Sequence, residues 1–207
     1  DASALVTSRS SEELVQEKIY VDMGRTLRLM HRPVAQGYGR FVDGRGESDT
    51  FEEWLRGSHV TERIKYVEEQ QLLDDSHGSL AAAKEILIEH VGAGLVSSYC
   101  HNDFDVTNIF DTRPLTVFDP STVLNNGYLD LSRSIILAIK MTGRDAAAEQ
   151  LKEGYFEDEP YDVRALQAGS LLNGYLRLVS LHKKGGREEQ IESIRKYLLQ
   201  TRHLLAA

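Results

Sequence analysis

The segment from Tyr99 to Ser132 constrains this chain more than any other part of it, because polar residues recur there at a spacing that few sequences show. It begins with the pattern H-x-D-x-x-x-x-N, continues through a short turn and an apolar run, and ends on the residues that precede a helix. The polar side chains concerned are, in chain order, His101, Asp103, Asn108, Asp119 and Asp130.

This spacing is typical of the catalytic loop and metal-binding aspartate of phosphoryl-transfer sites. Asp103 is placed to orient an acceptor hydroxyl and to take its proton. Asn108, five residues further on, offers an amide oxygen that can bind Mg²⁺ without adding charge. Asp119 supplies a carboxylate for the metal that bridges the nucleotide phosphates. Mg²⁺ prefers hard oxygen ligands and few protein carboxylates, so this set is chemically consistent.

A β-hairpin would bring the two metal-binding residues together. Residues 108–110 predict one short strand and residues 115–118 its partner, with residues 111–114 as the turn. Pairing the two strands places Asn108 and Asp119 at the same end of the ribbon. The sequence therefore predicts a shared metal site at that end.

Two other interpretations of the segment remain open from the residues alone. It could be a polar loop between helices that contains a buried, hydrogen-bonded histidine. It could also serve a metal-dependent hydrolase through His101, Asp103 and Asp119, although neither His-x-x-x-His nor a glutamate-rich metal set accompanies them.

The segment resembles the catalytic segment of the aminoglycoside phosphotransferase/choline kinase-like family, which has a protein-kinase-like fold. That family typically shows His-Gly-Asp-Leu-His-Pro-Gly-Asn-Ile-Leu, then Ile-Asp, then an Asp-Leu pair that opens a helix. The matching positions here are His101, Asp103, Asn108, Ile109, Asp119, Asp130 and Leu131. Asn102 replaces the usual glycine, and Asp105 and Thr107 fall where His and Gly are common.

The resemblance implies a role for each matched polar residue. Asp103 is then the catalytic base, Asn108 and Asp119 are the metal ligands, and His101 and Asp130 support the loop. The implied activity is transfer of the ATP γ-phosphate, with Mg²⁺, to a hydroxyl of a small molecule of the aminoglycoside or choline type. The alternative is a non-catalytic, kinase-like binding module.

The predicted fold is mainly α with a small β-hairpin, corresponding to the C-terminal, helical lobe of a protein-kinase-like fold. Residues 1–10 are interpreted as a linker and residues 11–207 as the lobe, with the catalytic loop and metal site at 99–132 and acceptor-side helices at 131–207. Nothing before Ser10 could form the N-terminal lobe with its sheet, glycine-rich loop and lysine. We therefore expect that lobe to be missing from this chain and to be supplied in cis or in trans.

Local signals place several element boundaries. Capping boxes predict helices that begin after Ser10 and after Thr50, the first of them running to His31 before Pro33. The glycine-rich stretch 37–46 has neither G-x-G-x-x-G nor the Walker form, and its composition predicts a surface loop.

Composition narrows the class of partner. The net charge of −8 argues against non-specific nucleic-acid binding and is compatible with a cationic acceptor. No apolar run approaches the length of a membrane span. The single cysteine, Cys100, excludes an internal disulfide and is typical of a cytoplasmic protein; we interpret it as a small buried strand residue.

An acidic run at Glu157, Asp158 and Glu159 has two interpretations. Charge runs are usually solvent-exposed, so a hydrated loop explains it without any function. The run could instead form part of the acceptor site, where its carboxylates would pair with ammonium groups.

Overall fold

The computed structural model describes residues 9–73, 78–92, 96–112, 114–121, 123–143, 145–185 and 188–205. The linker expected over residues 1–10 lies almost wholly outside them. The helices are α1 (Ser11–Gln16), α2 (Ile19–Met30), α3 (Phe51–Arg56), α4 (Ser58–Glu69), α5 (Ser79–Gly92), α6 (Gly127–Thr142), α7 (Asp145–Phe156), α8 (Val163–Lys183) and α9 (Glu188–Leu205). The strands are β1 (Val34–Ala35), β2 (Tyr38–Val42), β3 (Arg45–Ser48), β4 (Ser97–Cys100), β5 (Ile109–Phe110), β6 (Thr116–Val117) and β7 (Val123–Asn125).

Two sheets accompany the helices. The larger has five strands in the order β1-β4-β7-β2-β3, and each neighbouring pair is antiparallel. Leu124 lies at its centre, opposite Tyr99 on one side and Gly39 on the other, and is fully buried. The second sheet is the hairpin β5–β6. The mainly α class and the small hairpin are therefore confirmed, and the five-stranded sheet is a further element that the predicted fold did not include.

The glycine-rich stretch 37–46, predicted to be a surface loop, contributes β2 and β3 to this sheet. Gly37 and Gly39 have φ angles of 80° and 91°, a region that glycine adopts without strain. A Cβ on Gly46 would lie 2.3 Å from the backbone nitrogen of Tyr38. The glycines serve a close, bulged strand pairing, and this is why they carry no alternating apolar pattern.

Both predicted capping boxes are present. The side chains of Ser10 and Thr50 accept hydrogen bonds from the backbone N–H groups of Glu13 and Glu53. The single helix expected from Ser11 to His31 is wrong, because the chain breaks at Lys18, where φ is 55°. α1 and α2 therefore pack as separate helices.

The buried helix α8 organises the interior. It packs against α4, α5, α6 and α9, and it has buried residues on all sides of the helix. One hydrophobic core lies between α8 and the helices α3, α4, α5 and α9, and a second is built by α2, α6 and α7. α6 lies between the two, so its first turn is fixed from both sides.

Helices α2 and α7 approach each other through two glycines. A Cβ on Gly154 would lie 1.9 Å from the carbonyl oxygen of Val21, and one on Gly24 would lie 2.3 Å from that of Leu151. These neighbours are backbone atoms, so they cannot move aside without displacing a helix.

Gly154→Ala is therefore expected to lower the free energy of unfolding by about 2 kcal/mol or more, measured by chemical denaturation. Gly92→Ala is the matched control, because a Cβ there meets no atom within 4 Å and alanine favours the helix. Equal stability of the two variants would contradict the close approach of α2 and α7.

Among the described helices, none combines the length and apolarity that crossing a bilayer requires.

Candidate active site

Strand β4 leads directly into the loop that carries the sequence pattern. His101 is fully buried at the start of this loop. Its Nε2 lies 3.0 Å from the carbonyl oxygen of Phe118 and donates to it, while Nδ1 accepts from the backbone N–H of Asp103 at 3.3 Å. The ring thus joins the loop to Phe118, the residue that precedes Asp119.

Asp130, in the first turn of α6, also holds this loop in place. Its carboxylate accepts the backbone N–H groups of His101 at 2.7 Å and Asn102 at 2.8 Å, and lies 3.1 Å from Nε2 of His31. Burial acts to raise the pKa of this carboxyl group, but the hydrogen bonds from His31 and the two amides outweigh it and lower the pKa. Asp130 is therefore a buried anion that shapes the loop.

Asn102 explains one departure from the family pattern. Its φ angle is 60°, in the left-handed region that glycine adopts freely and asparagine tolerates better than most residues. The position therefore accepts either residue. Asp105 and Thr107 account for the other departures, because the Asp105 side chain accepts the Thr107 N–H at 2.7 Å and caps the 3-10 turn 106–108.

Asn108 ends that turn and reaches back to the predicted base. Its Nδ2 donates to the backbone oxygen of Asp103 at 2.8 Å and approaches the carboxylate Oδ2 at 3.4 Å. Both partners are acceptors, so the amide nitrogen must face them. The side-chain oxygen Oδ1 of Asn108 is therefore directed elsewhere, and no described residue donates a hydrogen bond to it.

The predicted hairpin is confirmed. Ile109 pairs with Val117 and Phe110 with Thr116, and the N–H of Phe118 donates to the carbonyl oxygen of Asn108 at 3.1 Å. Asp119 follows immediately, is exposed and has a φ angle of 56°. The backbone therefore brings Asn108 and Asp119 to the same end of the ribbon.

A cavity of about 540 Å³ opens beside Asp103. Its wall combines residues of β2, β3, β4 and β7 of the large sheet with side chains from α3, α4, α6 and α8, among them Trp54 and Asn173. Asn108 and Asp119 do not line it. Asp103 thus lies between the end of the hairpin and a cavity large enough for a small molecule.

Sequence reasoning missed the basic residues of this wall. Arg133 lies three residues after Asp130 in α6, and Arg177 lies in α8, whose other residues are mostly apolar and buried. A signal was present, since a charged residue inside an otherwise buried helix needs a reason to be there.

The acidic run lies elsewhere. Glu157 pairs with Arg28 at 2.8 Å and with Arg25 at 3.8 Å, and Glu159 pairs with Arg28 at 2.5 Å. None of the three acidic residues lines the cavity beside Asp103. The structure does not bring them together with the predicted base, and their part in acceptor binding stays a prediction.

In the described part of the chain, a single group of three His, Cys, Asp or Glu side chains is close enough to share a metal ion: His31, Cys100 and Asp130. Burial raises the pKa of the Cys100 thiol well above its usual value, so the thiolate that a metal requires is disfavoured. The Asp130 carboxylate already accepts two backbone N–H groups and contacts His31. His101, Asp103 and Asp119 form no such group, which removes support from the hydrolase alternative.

Comparison with known proteins places this geometry in a known fold. No protein-family model matches the chain, and no curated protein sequence matches it. Among solved structures, a thermostable mutant of the aminoglycoside phosphotransferase APH(4)-Ia in complex with AMP-PNP and hygromycin B matches with a TM-score of 0.63 at 16% identity, over 99% of this chain and 69% of that one.

Two further structures agree. A choline/ethanolamine kinase family protein from Mesorhizobium loti matches with a TM-score of 0.58 at 14% identity, over 99% of this chain and 65% of that one. A Plasmodium vivax ethanolamine kinase matches with a TM-score of 0.55 at 11% identity, over 100% and 62%. The chain therefore has part of the kinase-like fold of these proteins, as the sequence resemblance implied.

Proposed function

We propose that this chain carries the catalytic loop, the metal ligands and the acceptor side of a phosphotransferase that uses Mg²⁺ and ATP to phosphorylate a hydroxyl of a small molecule. The observation that carries the proposal is the contact of Asn108 with Asp103. This contact fixes the predicted base at the cavity and leaves the side-chain oxygen Oδ1 of Asn108 without a partner among the described residues.

Asp103 is the base of the proposed reaction. Its backbone is held by the Asn108 amide and by His101, so the loop keeps its shape while the carboxylate stays open to the cavity. The acceptor oxygen forms a bond to the γ-phosphorus, the bond from that phosphorus to the bridging oxygen breaks, and ADP leaves. The hydroxyl proton passes to Asp103.

The residues present fit a magnesium ion. Asn108 Oδ1 and the Asp119 carboxylate are hard oxygen donors at one end of the hairpin, and neither has another partner among the described residues. These two residues would hold the ion, and neither of them lines the cavity beside Asp103. When bound, Mg²⁺ neutralises charge on the nucleotide phosphates and fixes their orientation.

The matched structures contain more chain than this match covers, since the match takes in 62–69% of their lengths. We place the glycine-rich loop and the lysine that cover the nucleotide phosphates in that further portion, supplied in cis or in trans. Assays of the proposal therefore use the full-length protein with any partner chain that copurifies.

Asp119→Ala is expected to weaken ATP binding in the presence of Mg²⁺ by about 10-fold or more. ATP binding without a divalent ion should not change, because the lost carboxylate acts through the metal. Isothermal titration with and without Mg²⁺ measures both affinities. Glu85→Ala removes an exposed carboxylate from α5 and is the control. Equal Mg²⁺-dependence of all three proteins would contradict the metal site.

A further inference from the structure

The cavity beside Asp103 has a basic wall. Its cationic lining residues are Arg40, Arg63, Arg133, Arg177 and Lys184, and its acidic ones are Glu47, Asp103 and Asp130. Asp130 is committed to His31 and to two backbone amides, and Glu47 lies 3.9 Å from Arg40. When Asp130 and the Arg40–Glu47 pair are set aside, the cavity wall has four cationic side chains and one carboxylate, that of Asp103.

Two of these cations have a buried N–H group without a partner. The Nε atoms of Arg133 and Arg177 are buried and have no hydrogen-bond partner, and neither side chain has an ion pair with a described residue. Removing a guanidinium N–H from water without an acceptor costs free energy, and an anionic ligand in the cavity would supply that acceptor.

The two guanidinium groups also act on each other. Burial lowers the pKa of Arg133, the neighbouring charge of Arg177 lowers it further, and Asp103 and Asp130 oppose this in part. Arg177 likewise adds to burial in lowering the pKa of Lys140. Positive charges are thus gathered beside Asp103. An anion placed between them would reduce their repulsion and accept the missing hydrogen bonds.

The position of the basic wall separates it from the metal ligands. Arg133 projects from α6 and Arg177 from α8, and both line the cavity that Asp103 shares, whereas Asn108 and Asp119 do not line it. In the proposed reaction the cavity is the acceptor side of Asp103. The basic wall therefore faces the acceptor and not the nucleotide.

We propose that the acceptor carries an anionic group, a carboxylate or a phosphate, in addition to its hydroxyl, and that Arg133 and Arg177 bind this group. The inference rests on the proposed phosphotransferase function and specifies its substrate class. An anionic acceptor has the opposite charge to the cationic acceptor that the net charge of the chain would allow. Guanidinium groups bind such anions through two parallel hydrogen bonds, which would leave the hydroxyl free to face Asp103.

The first test needs no phosphate transfer and no variant. The full-length protein is titrated calorimetrically, without nucleotide, with four small hydroxyl compounds: glycerate, glycerol 3-phosphate, glycerol and choline. One or both anionic compounds should bind about 10-fold or more tightly than glycerol and choline. If glycerate binds more tightly than glycerol 3-phosphate, the anionic group is a carboxylate; the reverse order indicates a phosphate. Equal or tighter binding of choline or glycerol, or failure of both anions to bind, overturns the inference.

The second test identifies the residues. Arg133→Gln and Arg177→Gln should each lower the affinity for the anion that binds more tightly by about 10-fold or more. Arg177→Lys, which keeps the charge but loses the paired hydrogen bonds, should lie between Arg177→Gln and the wild type. Arg164→Gln is the matched control, since Arg164 is exposed on the same helix and does not line the cavity. Anion affinity that is unchanged in both glutamine variants overturns the assignment.

The third test separates the acceptor from the nucleotide. Saturation with Mg²⁺ and AMP-PNP should leave the affinity for the anionic compound unchanged or increased. Its displacement would assign the basic wall to nucleotide phosphates and overturn the inference. Anion binding that passes all three tests, in a protein that phosphorylates none of these compounds or larger hydroxy acids, would count against the phosphotransferase function while supporting the anion site.

Discussion

Asp103→Asn is expected to lower kcat for phosphate transfer by about 100- to 10,000-fold, with the affinity for ATP and Mg²⁺ largely unchanged. The change removes the group that takes the acceptor proton and keeps the size of the side chain. Transfer is measured as ADP release at saturating acceptor, and nucleotide affinity by titration.

The geometry makes this variant informative, because the two hydrogen bonds that hold the backbone of residue 103 do not involve the carboxylate that is lost. Asn108 holds the backbone oxygen of residue 103 at 2.8 Å, and His101 accepts its backbone N–H. Both contacts survive the change to asparagine. A loss of activity therefore reports on the proton acceptor and not on the shape of the loop.

Asp43→Asn is the matched control for this variant. Asp43 lies in the exposed turn between β2 and β3 with a φ of 49°, which asparagine adopts at least as readily, so its activity should equal that of the wild type. A fully active Asp103→Asn protein would refute the catalytic role. Wild-type protein that binds an acceptor and ATP but transfers nothing would favour the kinase-like binding module.

The hairpin and the loop were predictable because their determinants are local. Asn108 and Asp119 are joined by a short turn, and the register of β5 and β6 follows from that turn. The capping boxes at Ser10 and Thr50 are likewise complete within four residues. Such features can be derived from the sequence without knowledge of the tertiary structure.

The five-stranded sheet was not predictable in the same way. Its strands have two to five residues each and come from segments far apart in the chain, so no single segment shows an alternating pattern long enough to recognise. β2 and β3 are also rich in glycine, which is typical of loops. Only the pairing of β2 with β7 gives Gly39 its place opposite Leu124.

The charge of the site was also not predictable, because it depends on residues that are far apart in the chain. The sequence reveals an acidic run at Glu157–Glu159, but its partner Arg28 lies on α2, and these exposed pairs contribute little stability. Arg133 and Arg177 are far apart in sequence and meet only because α6 packs against α8. Net charge therefore gave no guide to the charge of this cavity.

Asp130→Asn is expected to lower the free energy of unfolding by about 3 kcal/mol at pH 7, because the carboxylate accepts two backbone N–H groups and contacts His31. Asparagine places an amide donor against one of these donors in a buried site. Glu62→Gln, an exposed change on α4, should stay within about 0.5 kcal/mol of the wild type. Chemical denaturation measures all three proteins.

The pH dependence of this difference identifies its cause. The pKa of Asp130 is lowered in the folded protein, so its stabilisation is fully present above the ordinary carboxyl pKa of about 4 and is lost as the pH falls through the lower, folded value. The stability gap between wild type and Asp130→Asn should therefore be constant from pH 7 to about pH 5 and narrow below pH 4. A gap that narrows already between pH 7 and pH 5 would mean that the folded pKa is raised, and that Asp130 does not hold the catalytic loop as an anion.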